Sequence, residues 1–200
     1  LMQLNADGSP DLTFGTNGVS KPQPFPNEIM TNVSAILDRA GRLFVVIWYP
    51  GDFVADGLGM LIGTDGKILW SVGADPCLYG FPTAAAFDSA GRVLIAGTCH
   101  LTTDQASGYY FFVQRYKGST GEGLAFGNSN ISLGGYADGS TADLGNAMVL
   151  DSSGRPVIVG ATFTQPSVQA RAGVARLTYD LIQTNDFEEV PRGCLPPDCN

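Results

Sequence analysis

The sequence has few of the residues that helices and ionic surfaces require. Only 15% of its 200 residues are charged, with three Lys and four Glu against 15 Asp. Glu and Lys are strong helix formers, whereas Asp and the 26 Gly favour turns. The longest apolar run, Leu43–Pro50, is well short of a membrane helix, which needs about 18 residues. The composition therefore excludes a helical bundle and predicts no transmembrane segment.

Basic residues and catalytic motifs are also scarce. The formal net charge is −8, whereas a nucleic-acid-binding protein normally carries a basic patch. His100 is the only histidine, and its neighbour Cys99 would point to the opposite face of a strand, so the two cannot easily share a proton. Neither Gly-x-Ser-x-Gly nor Gly-x-Gly-x-x-Gly occurs. We therefore predict no nucleic-acid partner, no cofactor and no catalytic residue.

An internal repeat organises the chain. The pattern Asp-x-x-Gly-Arg, flanked by apolar runs, begins at Asp38, Asp88 and Asp151, with spacings of 50 and 63 residues. The Asp side chain can bond the backbone two residues on, and Gly takes the positive φ that closes a turn. The flanking runs then pair as a hairpin, with Pro156 tolerated at the first position of its strand. A period of this length indicates a propeller, solenoid or array.

A second hairpin follows each of the first ones, over residues 59–71, 109–127 and 174–184. An additional N-terminal hairpin is predicted over residues 1–15, around the turn Asn5–Pro10. Four short antiparallel strands per repeat are what one propeller blade requires. The predicted fold is therefore all-β, a propeller-like array of about three and a half four-stranded antiparallel blades.

The N-terminal copy carries a family resemblance. Residues Leu4–Val19, LNADGSPDLTFGTNGV, resemble the signature of the bacterial delta-sixty repeat family, and the Asp-x-x-Gly-Arg turns fit that family's second signature. The resemblance covers residues 1–187. It implies β-propeller-like repeats and an origin in large, mostly extracellular bacterial proteins, and it implies no catalytic residue.

The predicted blade number does not make a typical closed ring, which has four to eight blades. Three interpretations remain open. The chain could be a fragment of a longer array, two copies could complete a seven-bladed ring, or unpaired edges could join neighbouring chains head to tail. The expected partners are therefore the chain itself or further repeats of a longer chain.

The four cysteines predict two disulfides, as in a secreted protein. Counting strand pairs outward from the turn at Asp88 places residue 80 opposite Cys99, which favours a Cys77–Cys99 pair. Cys194–Cys199 would then close a small loop in a Pro-containing C-terminal tail, residues 188–200, separate from the repeat domain, residues 1–187. The alternative is four reduced thiols in an intracellular scaffold. A Cys/His zinc site lacks ligands.

The turn at the N-terminus also suggests a calcium site. Asn5, Asp7, Ser9 and Asp11 alternate as the oxygen ligands of a calcium loop do, although the terminal Glu of a full loop is absent. The alternative is that these residues form ordinary Asx turns.

Loop acids and aromatic residues provide two further candidates. Aromatic rings beside acids can bind sugars, but they more often fill the packing between blades. The candidate ligand-facing aromatics are Trp48, Tyr49, Tyr109 and Tyr110. Loop carboxylates could form a hydrolase or lyase site, and the candidates are Asp52, Asp56, Asp104, Asp138 and Asp143.

Together these observations predict a non-catalytic, secreted or surface-exposed bacterial module with a structural or interaction role. The alternatives are an extracellular carbohydrate-binding module and a hydrolase or lyase that acts on an extracellular polymer.

Overall fold

The computed structural model describes residues 1–21, 31–50, 55–74, 79–100, 108–124, 130–131, 142–164 and 169–177. These ranges contain only strands, turns and irregular segments, so the predicted all-β class is confirmed. None of these residues belongs to a helix with the length and apolar character needed to cross a bilayer. The strands are β1 (Thr31–Leu37), β2 (Leu43–Pro50), β3 (Ala55–Ile62), β4 (Ile68–Gly73), β5 (Tyr79–Phe87), β6 (Val93–His100), β7 (Tyr109–Tyr116), β8 (Gly123–Leu124), β9 (Asn130–Ile131), β10 (Ala142–Leu150), β11 (Pro156–Thr164) and β12 (Gln169–Arg176).

The strands form three antiparallel units. The first sheet has the order β1-β2-β3-β4, which we name unit 1. The second has the order β12-β11-β10-β7-β6-β5, with β8 and β9 also paired to β7. Only one parallel pair, Ala142 with Tyr109, joins β10 to β7. We therefore describe β5–β9 as unit 2 and β10–β12 as unit 3.

Each unit begins with the hairpin that the Asp-x-x-Gly-Arg pattern predicts. The turns join β1 to β2, β5 to β6 and β10 to β11, and Pro156 is the first residue of β11. The three turn glycines, Gly41, Gly91 and Gly154, have φ values of +78°, +73° and +77°. Only glycine adopts this conformation without strain, which explains its place in the repeat.

The units stack by their apolar faces. Phe44 and Leu61 of unit 1 are buried with Ile95 and Phe112 of unit 2, and all four are 0% exposed. Leu94 and Val113, on the other face of unit 2, are buried with Met148 and Ile158 of unit 3. We call the side of a unit that contacts the following unit its forward face, and the opposite side its backward face. The forward face of unit 3 is the side that carries the equivalent strand positions.

Glycines allow the backbones of neighbouring units to approach closely. A Cβ on Gly145 of β10 would lie 2.6 Å from the carbonyl oxygen of Gly97 in β6. The Gly145 N–H donates to Thr98 Oγ1 (2.8 Å), and the Thr83 hydroxyl donates to the Gly145 carbonyl (2.7 Å). These contacts fix unit 3 against unit 2.

The N-terminal segment differs from its prediction as a hairpin. The predicted second strand over residues 11–15 is wrong, because Asp11 accepts hydrogen bonds from the Thr13 N–H and hydroxyl and turns the chain there. Only isolated bridges remain, such as Leu4 with Pro10. The segment packs on the β3–β4 turn, where the Gly15 N–H donates to the Asp65 carbonyl (2.8 Å).

Two further boundaries differ or lie outside the described residues. The strand predicted to begin at Val174 begins at Gln169, so that prediction was five residues too short at its start. β8 covers Gly123–Leu124, and the rest of that predicted strand is outside the described residues. The same holds for residues 181–184, for the boundary after residue 187 and for the tail 188–200.

Candidate functional site

The Asp and Arg of each repeat turn form a closed hydrogen-bonded set. In the second turn, Asp88 Oδ1 accepts from the N–H groups of Ala90 (3.0 Å) and Arg92 (2.9 Å), and Oδ2 accepts from Arg92 Nε (2.6 Å). The turns at Asp38 and Asp151 repeat these contacts. The repeat motif is therefore a turn-closing device.

At Asp38 and Asp151 these contacts favour the charged form of the carboxyl group. The Arg155 side chain and backbone both donate to Asp151 and lower its pKa, and the Ser153 N–H adds to the effect. At Asp38, burial acts to raise the pKa, but the hydrogen bonds from Arg42 and Ala40 outweigh it and the pKa is lowered. These carboxylates stay ionised at neutral pH, which does not suit a general acid.

The three turns surround one open cavity of about 740 Å³. Equivalent residues of the three turns line this cavity. Each turn supplies the apolar residue before its Asp, the Asp itself and the residues at the tip of the turn. The apolar members are Leu37, Phe87 and Leu150, and the tips include Arg39, Ser89 and Ser152. Sequence analysis missed this cavity, because the turns come together only when the units stack.

The candidate calcium ligands are engaged in local turns. Asp7 Oδ1 accepts from the Ser9 N–H (2.9 Å) and hydroxyl (2.7 Å), and Asn5 Nδ2 donates to Ser9 Oγ (3.0 Å). The hydrogen bonds from Ser9 lower the pKa of Asp7, and those from Thr13 lower the pKa of Asp11. The Asx-turn interpretation accounts for this geometry. Within the described ranges, no three His, Cys, Asp or Glu residues group as metal ligands.

The candidate aromatics divide by their surroundings. Trp48, Phe81 and Tyr109 form a row at the strand ends away from the repeat turns, with ring centroids 5.1 Å and 6.4 Å apart. His100 continues the row, 4.8 Å from the Tyr109 ring. Tyr110 is only 6% exposed, so its side chain is buried and offers little surface to a ligand. The Tyr49 side chain lies outside the described part of the structure.

The remaining candidates are only partly described. The register pairs Gly80 with Cys99, which confirms the predicted alignment. Cys99 is 0% exposed and His100 is 4% exposed, and both lie at the end of β6. Asp143 is buried in β10. Outside the described residues lie Cys77, Cys194, Cys199, Asp52, Asp104, Asp138 and the side chain of Asp56, so the disulfide pairings and the loop-acid site stay predictions.

The forward face of unit 3 is apolar and exposed. Val157 and Val159 of β11 occupy the positions that Leu94 and Ala96 occupy in β6, counted from the repeat Asp. Leu94 and Ala96 are each 1% exposed, whereas Val159 is 40% exposed. Val174, paired with Val159 across the strands, is 61% exposed, and Val149 of β10 is 63% exposed. An apolar patch of this kind is typical of an interaction surface.

Scans of the chain against protein-family models and against curated proteins returned no match. The resemblance of residues 1–187 to the delta-sixty repeat family therefore stays a prediction.

Proposed function

We propose that this chain is a non-catalytic, secreted or surface-exposed bacterial module with a structural or interaction role. Its three units are propeller-like blades, and it associates through the blade surfaces that the described residues leave open. The observation that carries the proposal is the forward face of unit 3, which repeats the apolar pattern of the buried forward faces of units 1 and 2.

Two features support a structural role over catalysis. The carboxylates of the repeat motif accept hydrogen bonds from the arginine and N–H groups of their own turns. They therefore stabilise the hairpin turns. The faces between units are built from large buried side chains, and burial of apolar area is the main favourable term in association.

Native mass spectrometry with and without reductant and alkylation tests this proposal. We expect species larger than one chain, and a mass that shows two disulfides. Monomers across a wide concentration range would overturn the assembly. Four reduced thiols would overturn the extracellular location and favour the intracellular scaffold.

Carbohydrate binding is the second candidate, and the aromatic row favours it. Trp48 and Tyr109 are half-buried at one end of the strands, with Phe81 between them. Sugar rings stack on half-exposed aromatic faces, which offer an apolar surface beside polar groups.

Glycan-array binding by the Trp48→Ala variant tests this candidate. Loss of binding with an unchanged unfolding temperature supports it. Trp70→Ala is the matched control, because Trp70 packs on Phe44 and donates to the Gly118 carbonyl away from the row. An absence of binding by the unmodified chain would contradict it.

A further inference from the structure

Among the described residues, seven of the ten exposed large apolar side chains lie at two places, and the other three are Leu37, Ile68 and Leu69. One is the forward face of unit 3, with Val149, Val159 and Val174. The other is the N-terminal segment, where Leu1, Met2, Leu4 and Leu12 are 43%, 59%, 56% and 69% exposed. We call Met2, Leu4 and Leu12 the N-terminal patch. We propose that the forward face of unit 3 binds the N-terminal patch of a second copy of this chain, head to tail.

The inference deepens the proposed self-association and rests on it. Within the chain a forward face is covered twice, that of unit 1 by unit 2 and that of unit 2 by unit 3. In unit 2 the forward face is covered, and Phe111 and Val113 are both 0% exposed. The equivalent positions of unit 3 are Ala172 and Val174, which are exposed. The apolar forward face of unit 3 is therefore the third of its kind and needs a partner that the described residues do not supply.

The surface that a second copy offers is its N-terminal patch. The backward face of unit 1 is already buried in its own chain, because Val45, Ile47 and Met60 are at most 4% exposed. A second copy therefore cannot present that face. The chain folds back on itself here, since Leu4 bridges to Pro10 and Met2 bridges to Val19, and Pro10 and Leu12 both lie within 4 Å of a Cβ placed on Gly18.

The two surfaces have opposite charge. Arg176 is exposed on β12 and lies on the same face of the strand as Val174, and the ion pairs among the described residues do not include it. The N-terminal segment carries Asp7 and Asp11, whose lowered pKa values keep them ionised. Such complementarity orients the association of the forward face towards the acidic N-terminal segment.

Two variants separate the surfaces. Val174→Glu places a charge on the forward face of unit 3, and Leu4→Glu places one in the N-terminal patch. Both side chains are more than half exposed, so the fold should not change, and circular dichroism checks this. Each variant alone should weaken self-association at least about 30-fold. Leu37→Glu is the matched control, because Leu37 is 68% exposed and lies at the repeat turns.

Mixing the variants tests the head-to-tail geometry. The Val174→Glu chain keeps its N-terminal patch and the Leu4→Glu chain keeps its forward face, so a mixture has one intact contact. Native mass spectrometry with one chain labelled with nitrogen-15 should show a mixed dimer that does not grow further. The unmodified chain and Leu37→Glu should still assemble.

Each other result overturns the inference in a distinct way. If Leu4→Glu alone still dimerises, two forward faces bind each other. If the unmodified chain assembles and neither variant weakens its self-association, then self-association uses other surfaces. The proposed function as a self-associating module would still hold. If the unmodified chain is monomeric at every concentration, the proposed self-association fails as well.

Discussion

Val113 in β7 and Val174 in β12 occupy the same position in successive units, but the first is 0% exposed and the second is 61% exposed. Each is the partner of the equivalent residue of the preceding strand, Ala96 for Val113 and Val159 for Val174. The difference lies in what covers them, because unit 3 lies on Val113 and no described residue covers Val174 to the same extent.

This pair predicts unequal effects of the same substitution. Val113→Ala should lower the free energy of unfolding by about 2 kcal/mol, because it removes buried methyl groups and leaves a cavity. Val174→Ala should change it by less than about 0.5 kcal/mol in the dissociated chain. Urea unfolding at low protein concentration measures both. Equal losses would contradict the assignment of the two faces.

Gly145 should be intolerant of a side chain. Gly145→Ala would place a Cβ 2.6 Å from the Gly97 carbonyl oxygen, so units 2 and 3 would have to separate locally. We expect a loss of about 2 kcal/mol, as for overpacking in a core. Thermal unfolding and limited proteolysis of unit 3 measure it. Gly73→Ala is the control, because no atom lies within 4 Å of a Cβ there. A Gly145→Ala variant as stable as the unmodified chain would contradict the close approach of Gly145 to the Gly97 backbone.

The Asp151 turn should make stability depend on pH. Hydrogen bonds from the Arg155 side chain and then its backbone hold the folded pKa of Asp151 below 3.8. Such a group stabilises the fold above its unfolded pKa, and the contribution is lost as pH falls through the folded pKa. The stability gap between the unmodified chain and Asp151→Asn should therefore be largest above about pH 5 and shrink towards pH 2. Urea unfolding across this range checks it, and a constant gap would contradict it.

Gly91 should tolerate Asn better than Ala. Its φ is +73°, and a Cβ there would meet no atom within 4 Å, so the cost of substitution is conformational. Gly91→Ala should cost about 1 to 2 kcal/mol, and Gly91→Asn less, because Asn visits this conformation more readily. Chemical unfolding of the two variants compares them. An Asn variant as unstable as the Ala variant would point to a steric cause instead.

The hairpins were predictable because their signals are local. Asp88, Gly91 and Arg92 lie within five residues, and their contacts close inside the turn. The strand register followed from the turn, so the pairing of Gly80 with Cys99 was also predictable. The N-terminal hairpin failed for the same local reason, since Asp11 bonds to Thr13 and ends the extended run.

The assembly of the units was much less predictable. The cavity between the turns depends on how the sheets stack, and no short motif encodes stacking. The exposure of Val159 also depends on what lies opposite, because its sequence neighbourhood matches that of the buried Ala96. The aromatic row joins Trp48 to Phe81 and Tyr109 across more than 30 and 60 residues of sequence, which spacing alone does not reveal.

The closed Asp–Arg pairs have a consequence for how such a chain can change in length. Each repeat aspartate has its counter-charge within its own turn, because the Asp88 carboxylate pairs with Arg92 of the same turn, as Asp38 pairs with Arg42. Gene duplication or deletion of a whole hairpin would leave the ionic balance of its neighbours untouched. An array of this kind can thus gain or lose a repeat turn in evolution without leaving a repeat aspartate unpaired.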